Sequence, residues 1–271
     1  HAWVHRSSIR RGLALLALLL FFGAGPAVQV TSAQPTLNFS RVINNWPTIE
    51  LYFTVECTGK PAYFTDPSYF KVFENGKEIG DFNLWCPNPQ DRCAISVSLV
   101  FDNSGSMSGS GIAGAIAAGN AFVDLMDGIS DEASVIIFHS SIAVLQGMTA
   151  SKSMLHSAVN SMGPMGATAV WDGIYAGLQE LIANGSNQCR AVVVLTDGGD
   201  NSSTRTPSEV ISLANRNRIR VYTVGLGTSI DAALLQAIAD QTGGKYYQTA
   251  TTAPLGQIYA EIHQLLMKQF G

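Results

Sequence analysis

Charge is what this chain has least of. Asp, Glu, Lys and Arg together make up 13% of its 271 residues, and no run of Lys or Arg occurs beyond the first dozen positions. With a net charge of −4, the sequence lacks the basic footprint a polyanion requires, so nucleic acid is not an expected partner. It lacks catalytic signatures too. There is no Gly-x-Ser-x-Gly elbow and no His-Glu-x-x-His pair, and His139, His156 and His263 are scattered, so neither serine hydrolase nor zinc protease chemistry is indicated and the chain is not read as an enzyme. Repeats and low-complexity tracts are absent. The longest apolar run, 13–22, is too short to span a bilayer as a helix. What is present is a 46% hydrophobic fraction, which implies a compact fold with a sizeable core.

Arg6, Arg10 and Arg11 precede the 13–22 apolar run, and small residues and Thr31-Ser32-Ala33 follow it. That order of basic, apolar and small segments predicts an export leader over 1–33, cleaved after Ala33, and no transmembrane span in the mature chain. The mature protein is then secreted, at the cell surface or in the periplasm. Residues 34–93 hold alternating or aromatic-rich runs at 48–55 and 69–73. Asn75-Gly76, set between 70–74 and 77–79, is a two-residue hairpin signal that demands positive φ at both positions. These features predict a small β-sandwich-like module. From residue 94 onward, short β-branched runs alternate with helical periodicities. Strands are expected over 95–101, 134–138, 142–145, 191–195, 219–224 and 244–248. Helices are expected over 112–126, 152–161, 170–183, 207–217, 231–242 and 255–268. The pattern is that of an α/β domain over 94–271, doubly wound around a mostly parallel, Rossmann-like six-stranded sheet.

Chemistry concentrates where the first of these strands ends. Asp102, Ser104 and Ser106 put one carboxylate and two hydroxyls at alternate positions of a loop, and the carboxyl edge of an open α/β sheet is where ligands bind. Thr168 stands just before a predicted helix, and Asp197-Gly198 just after a predicted strand. Two carboxylates and three hydroxyls form an oxygen-only set, suited to a hard divalent cation such as Mg²⁺ rather than to zinc, which favours His and Cys. Taken singly, such residues often only cap helices or shape turns. Asp172, Asp200 and Asn201 lie nearby in sequence as supporting or capping residues, with capping expected for Asp172. Gly109-x-Gly111-x-x-Gly114 matches a dinucleotide fingerprint, which leaves a nucleotide-dependent oxidoreductase as a remote alternative. Its first glycine stands too far beyond the strand, and no acidic residue ends the second strand.

Asp102-x-Ser104-x-Ser106 with Thr168 and Asp197-Gly198 resembles the metal-ion-dependent adhesion site (MIDAS) of von Willebrand factor A (VWA) domains, and the resemblance extends over roughly 94–270. It implies that Ser104, Ser106 and Thr168 contact the metal through hydroxyls, that Asp102 and Asp197 act directly or through water, and that a coordination position remains for the partner. The metal is expected to be Mg²⁺, with Mn²⁺ or Ca²⁺ as alternatives. The partner is expected to be a protein or surface polymer that offers an acidic residue. A structural or assembly subunit with a purely structural metal site is the alternative. Four cysteines in an exported chain suggest two disulfides, for which sequence permits three connectivities. If the resemblance holds, the strands beginning near 95 and 191 are parallel neighbours and their cysteines sit at one height. This implies Cys93–Cys189 at the edge opposite the metal and Cys57–Cys86 within the small module. A local Cys86–Cys93 loop is the rival.

Overall fold

A computed structural model describes residues 2–5, 16–20, 35–45, 48–57, 60–62, 66–80, 82–85 and 93–267. The chain divides into two compact units, residues 1–91 with the last two residues, and residues 92–269.

The first unit is all β. Its strands are β1 (Ala2–His5), β2 (Leu16–Leu20), β3 (Thr36–Asn45), β4 (Thr48–Cys57), β5 (Lys60–Ala62), β6 (Phe70–Glu74), β7 (Lys77–Ile79) and β8 (Asn83–Trp85). They form one sheet of order β3-β4-β1-β8, with β5 on β4, and a second of order β2-β6-β7. Alternate residues of β4 (Leu51, Phe53 and Val55) meet Phe70, Val72 and Ile79 of the second sheet in one buried cluster. The Phe53 and Phe70 rings lie 5.6 Å apart, so the two sheets close on each other as a small sandwich. The β6–β7 turn has the expected form, because Asn75 and Gly76 take φ of 50° and 78° and Glu74 pairs with Lys77. Two stretches of the segment read as a leader, β1 and β2, are paired within these sheets.

The second unit carries β9 (Ile95–Asp102), α1 (Ser110–Leu125), β10 (Glu132–Phe138), β11 (Ile142–Thr149), α2 (Lys152–Asn160), α3 (Val170–Asn184), β12 (Cys189–Thr196), α4 (Pro207–Arg216), β13 (Arg220–Leu226), α5 (Ala232–Thr242), β14 (Tyr246–Thr249) and α6 (Leu255–Met267). Their sheet runs β11-β10-β9-β12-β13-β14. All of its pairings are parallel except β10 with β11. Every residue of β9 is buried, as expected of a central strand covered on both faces. Helices α1, α2 and α6 pack together, and α3 packs on α4 and α4 on α5. Val100, Ile174, Leu178, Val192, Val194, Val210 and Ile238 join one core cluster. Phe101 stacks on Tyr259, and Phe122 meets Tyr259 edge-on. Glycines in α3 allow it to lie close to the sheet: a methyl on Gly173 would stand 2.5 Å from Phe138 Cδ1, and one on Gly177 2.8 Å from Val100 Cγ2.

Strand order fixes where ligands can go. From β9 the chain turns one way to β10 by way of α1, while β12, on the other side of β9, leads into α4. The loops that leave the carboxyl ends of β9 and β12 therefore part toward different helices and leave a crevice between them. At the opposite edge, Cys189 pairs in register with Ile95, and Cys93 and Cys189 form a disulfide with Cα atoms 6.2 Å apart, as the resemblance implied. Cys57 is half-buried, and its expected partner Cys86 lies outside the described residues.

The Cys93–Cys189 bridge closes a loop of sequence separation 96 and so limits the unfolded chain. Replacing both cysteines by Ala is expected to lower the stability of the α/β unit by about 2–4 kcal/mol and to raise the urea m-value as the unfolded chain expands. A double variant with an unchanged midpoint in urea titration would show that the bridge contributes nothing.

Candidate metal centre

Five oxygen-bearing side chains converge in the crevice. Asp102, the last residue of β9, is fully buried. Its Oδ1 accepts a hydrogen bond from the Ser104 backbone N–H at 2.8 Å, and its Oδ2 accepts from the Thr196 hydroxyl at 2.6 Å. Ser104 Oγ lies 3.0 Å from Ser106 Oγ, and Ser106 Oγ donates to Asp197 Oδ1 at 2.6 Å. A methyl placed on Gly198 would stand 3.6 Å from Thr168 Oγ1 and 4.0 Å from Ser106 Oγ. Residues from three segments, 102–106, 168 and 197–198, thus border one small volume.

Each segment is held by bonds that the spacing alone did not disclose. The Thr168 N–H donates to Asn201 Oδ1, while Thr168 O accepts from the N–H groups of Asn201 and Ser202. Asp200 accepts from the N–H of Val170 at the start of α3, so the cap of that helix comes from the loop after β12. Asp172 has the reverse role: its carboxylate accepts from the N–H groups of Thr204 and Arg205, fastening that loop rather than capping its own helix as expected. Asn103 ties down the third segment. Its Nδ2 donates to Gly163 O at 2.6 Å, its carbonyl accepts from the Met165 N–H at 2.7 Å, and Gly166 O accepts from the Gly105 N–H at 3.1 Å. Asn201 has the supporting role expected of it, whereas Thr196 and Asn103 were not singled out by the sequence pattern. The signal available for them was the density of Asn, Asp and Ser immediately after two strands.

The electrostatics of the cluster are unbalanced. Burial raises the Asp102 carboxyl above the ordinary carboxylate range. The bonds from Ser104 and Thr196 oppose that shift, and the charge of Asp197 adds to it. No ion pair reaches either carboxylate among the described residues. A buried carboxylate facing a second one without a cation is costly, and a dication seated among these oxygens would remove the cost. The donor set fits such an ion: two carboxylates with three hydroxyls suit a hard cation that keeps part of its water. Among the described residues no group of three or more His, Cys, Asp or Glu comes together, so the softer ligand sets of structural zinc are not found there.

The family model for the von Willebrand factor type A domain matches residues 96–261, a span that includes all five of these positions. The chain belongs to the von Willebrand factor type A family. The chain is 26% identical over 159 residues to an uncharacterized protein of Synechocystis sp., covering 56% of this chain and 37% of that protein. The chain therefore spans little more than a third of that relative's length. Among solved structures it is similar to proximal thread matrix protein 1 of the mussel byssus, described with a zinc-occupied MIDAS motif, at TM-score 0.58 and 22% identity over 64% of this chain and 46% of that one. It is also similar to the vWF domain of the type V pili tip protein Mfa5 from Porphyromonas gingivalis, at TM-score 0.53 and 14% identity over 65% and 95%. At these identities the likeness is one of fold. Modules of this kind are generally non-enzymatic.

The remaining motifs have structural explanations. Gly109 opens α1 with φ of 80°, and Gly114 lets that helix lie against Thr252, where a methyl would come within 2.4 Å of Cγ2. The glycines that mimic a dinucleotide fingerprint thus shape a VWA helix and its packing. His156 links α2 to α1 through Asn120 Oδ1 at 2.6 Å and Asp124 Oδ1 at 3.0 Å.

Asp102→Asn isolates the charge in this domain. The amide oxygen still accepts from Ser104 N–H, its NH₂ donates to Thr196 Oγ1, and the Thr196 hydroxyl turns to Gly198 O, 3.0 Å away. In chelator the variant is expected to melt at or above the parent's temperature. The parent, at a metal concentration about a hundred times its dissociation constant, gains roughly 2.7 kcal/mol that the variant does not. A variant that melts well below the parent in chelator would contradict this charge accounting.

Proposed function

We propose that this chain is an exported adhesion or protein-binding protein. Asp102, Ser104, Ser106, Thr168 and Asp197 hold a divalent cation, Mg²⁺ foremost, and a carboxylate of the partner completes its coordination. The observation that carries this reading is the buried Asp102 within reach of the charge of Asp197, with no counter-cation among the described residues, at the carboxyl edge where the loops after β9 and β12 diverge. When bound, the ion supplies a Lewis-acidic centre with exchangeable water. The chain's own residues fix its position and leave one side toward solvent, since Ser106 is exposed and Asp197 half-exposed. The all-oxygen set favours Mg²⁺, Mn²⁺ or Ca²⁺ over softer ions.

Export is proposed from the basic, apolar and small segments of 1–33, and the Cys93–Cys189 bridge supports an oxidising compartment. Among the described residues no helix is long and apolar enough to cross a membrane. Cleavage after Ala33 would remove β1 and β2 and leave β4 and β8 without the strand between them. A second reading, a subunit of a fibre or larger assembly whose metal is structural, is favoured by the fold's occurrence in a byssal thread protein and a pilus tip protein. The two readings differ in thermodynamic linkage. If the partner's acidic group joins the metal, each strengthens the other's binding; a structural metal is indifferent to the partner.

Capture of partners from cell-surface extracts onto the immobilised chain, with Mg²⁺ and with chelator, tests the adhesive reading. Capture should need Mg²⁺ and should fall at least tenfold for Thr168→Ala, which removes one hydroxyl from the cluster and leaves both carboxylates. Capture that ignores chelator and variant alike would move the binding face away from this crevice.

A further inference from the structure

The three segments around the oxygen cluster, 102–109, 163–169 and 197–206, are built mainly of Gly, Ser, Thr, Asn and Asp. Within them a single large apolar side chain is exposed, Met165, at 58%. An isolated exposed methionine is ordinary on a protein surface, but this one is fixed in an unusual way. Its N–H donates to the carbonyl of Asn103, the residue between Asp102 and Ser104. The residues on either side are bonded as well. Gly163 O accepts from Asn103 Nδ2, Gly166 O accepts from the Gly105 N–H, and the Ala167 N–H donates to Ser140 Oγ at 2.9 Å. Gly166 itself takes φ of 73°, and a methyl there would meet Ser140 Oγ at 2.6 Å, so the loop's path is set by its neighbours. Asn103 is 1% exposed, which places its own two anchors to this loop at the base of the segment. The backbone of Met165 is thus tied to the loop that carries Asp102 and Ser104, while its side chain is largely exposed.

Within these three segments no charged side chain outside the oxygen cluster is left free to select a partner. The one cation of the three segments, Arg205, lies over the Tyr175 ring at 4.3 Å and pairs with Glu209 at 3.3 Å. Asp172 and Asp200 are occupied by backbone N–H groups. An acidic group on the partner would thus be read by the metal alone, and discrimination among acidic sequences falls to the remaining contact, an unbranched thioether side chain that adapts to apolar surfaces.

We infer that Met165 is the specificity-determining contact of this site and that the partner presents an acidic side chain with an apolar side chain directly beside it. The inference rests on the metal-and-carboxylate reading above and adds the class of sequence recognised. Backbone anchoring limits the ordering cost to the rotamers of the side chain, because the loop itself need not be fixed on binding. Covering on the order of 50 Å² of apolar surface corresponds to nearly tenfold in affinity.

The test uses the full chain loaded with Mn²⁺ and two pentapeptides capped at both ends. Each has a central glutamate as its single charge, flanked in one by leucine and in the other by serine. Paramagnetic broadening of the peptide proton lines reads binding. The leucine-flanked peptide is expected to bind about five- to tenfold more tightly. Met165→Gln should bring the two within twofold of each other without altering Mn²⁺ affinity, and Met165→Leu should keep most of the difference. Equal binding of both peptides to the parent, or a preference that survives in Met165→Gln, overturns the inference while leaving carboxylate recognition standing. If Mn²⁺ binds but broadens neither peptide, carboxylate recognition fails and the inference fails with it.

Discussion

Two carboxylates held close together at the end of a buried sheet are the constraint around which the α/β unit is organised. Asp102 is removed from water, hydrogen-bonded by Ser104 and Thr196, and linked to Asp197 by way of Ser104 and then Ser106. A site that brings like charges together in a poorly solvated crevice is unfavourable by itself. The fold supports it because the two strands that carry these residues are parallel neighbours, with Leu195 paired to Phe101, and both are packed into a core that cannot shift to separate them. Cation binding would turn that unfavourable arrangement into affinity.

The rest of the domain makes the arrangement rigid. Segment 200–205 is bonded to the start of α3 through Asp200, Asn201 and Asp172, which sets Thr168 beside Gly198. Asn103 joins the loop after β9 to the loop before α3. These contacts lie between segments 30 or more residues apart in sequence, so the site exists only once the sheet has formed. At the opposite edge, Cys93 and Cys189 fasten the start of β9 to the start of β12, and the Cys93 N–H donates to Met267 O at the end of α6. The same strand pair is thus tied at one end by a covalent bridge and at the other by the oxygen cluster.

Much of this was legible in the sequence, for identifiable reasons. The expected strands and helices of the α/β unit match those observed to within a few residues, because β-branched runs and helical periodicities alternate cleanly there. The Asn75-Gly76 turn and the five oxygen-bearing positions were likewise readable, since each depends on residue type at fixed spacing. What escaped was tertiary. Strand β11 continues to Thr149, beyond the expected 145, where the Met148 N–H donates to Glu180 Oε1 of α3 and the pairing with β10 shifts register. Neither partner is visible from residues 142–149 alone. Asp172 was expected to cap its own helix, and the cap is supplied by Asp200 from thirty residues away. A side chain with several nearby backbone donors is assigned to one of them only by the fold.

Water-proton relaxation of the Mn²⁺-loaded chain tests the central claim most directly, because it counts bound ions and reports whether each still exchanges water. The account requires one Mn²⁺ per chain with a marked relaxation enhancement, lost when Asp102 and Asp197 are both changed to Asn and reduced when a small carboxylate such as acetate is added. Binding without enhancement would mean an ion closed off by the protein's own groups, and enhancement that persists in the double variant would place the ion elsewhere; either result contradicts it.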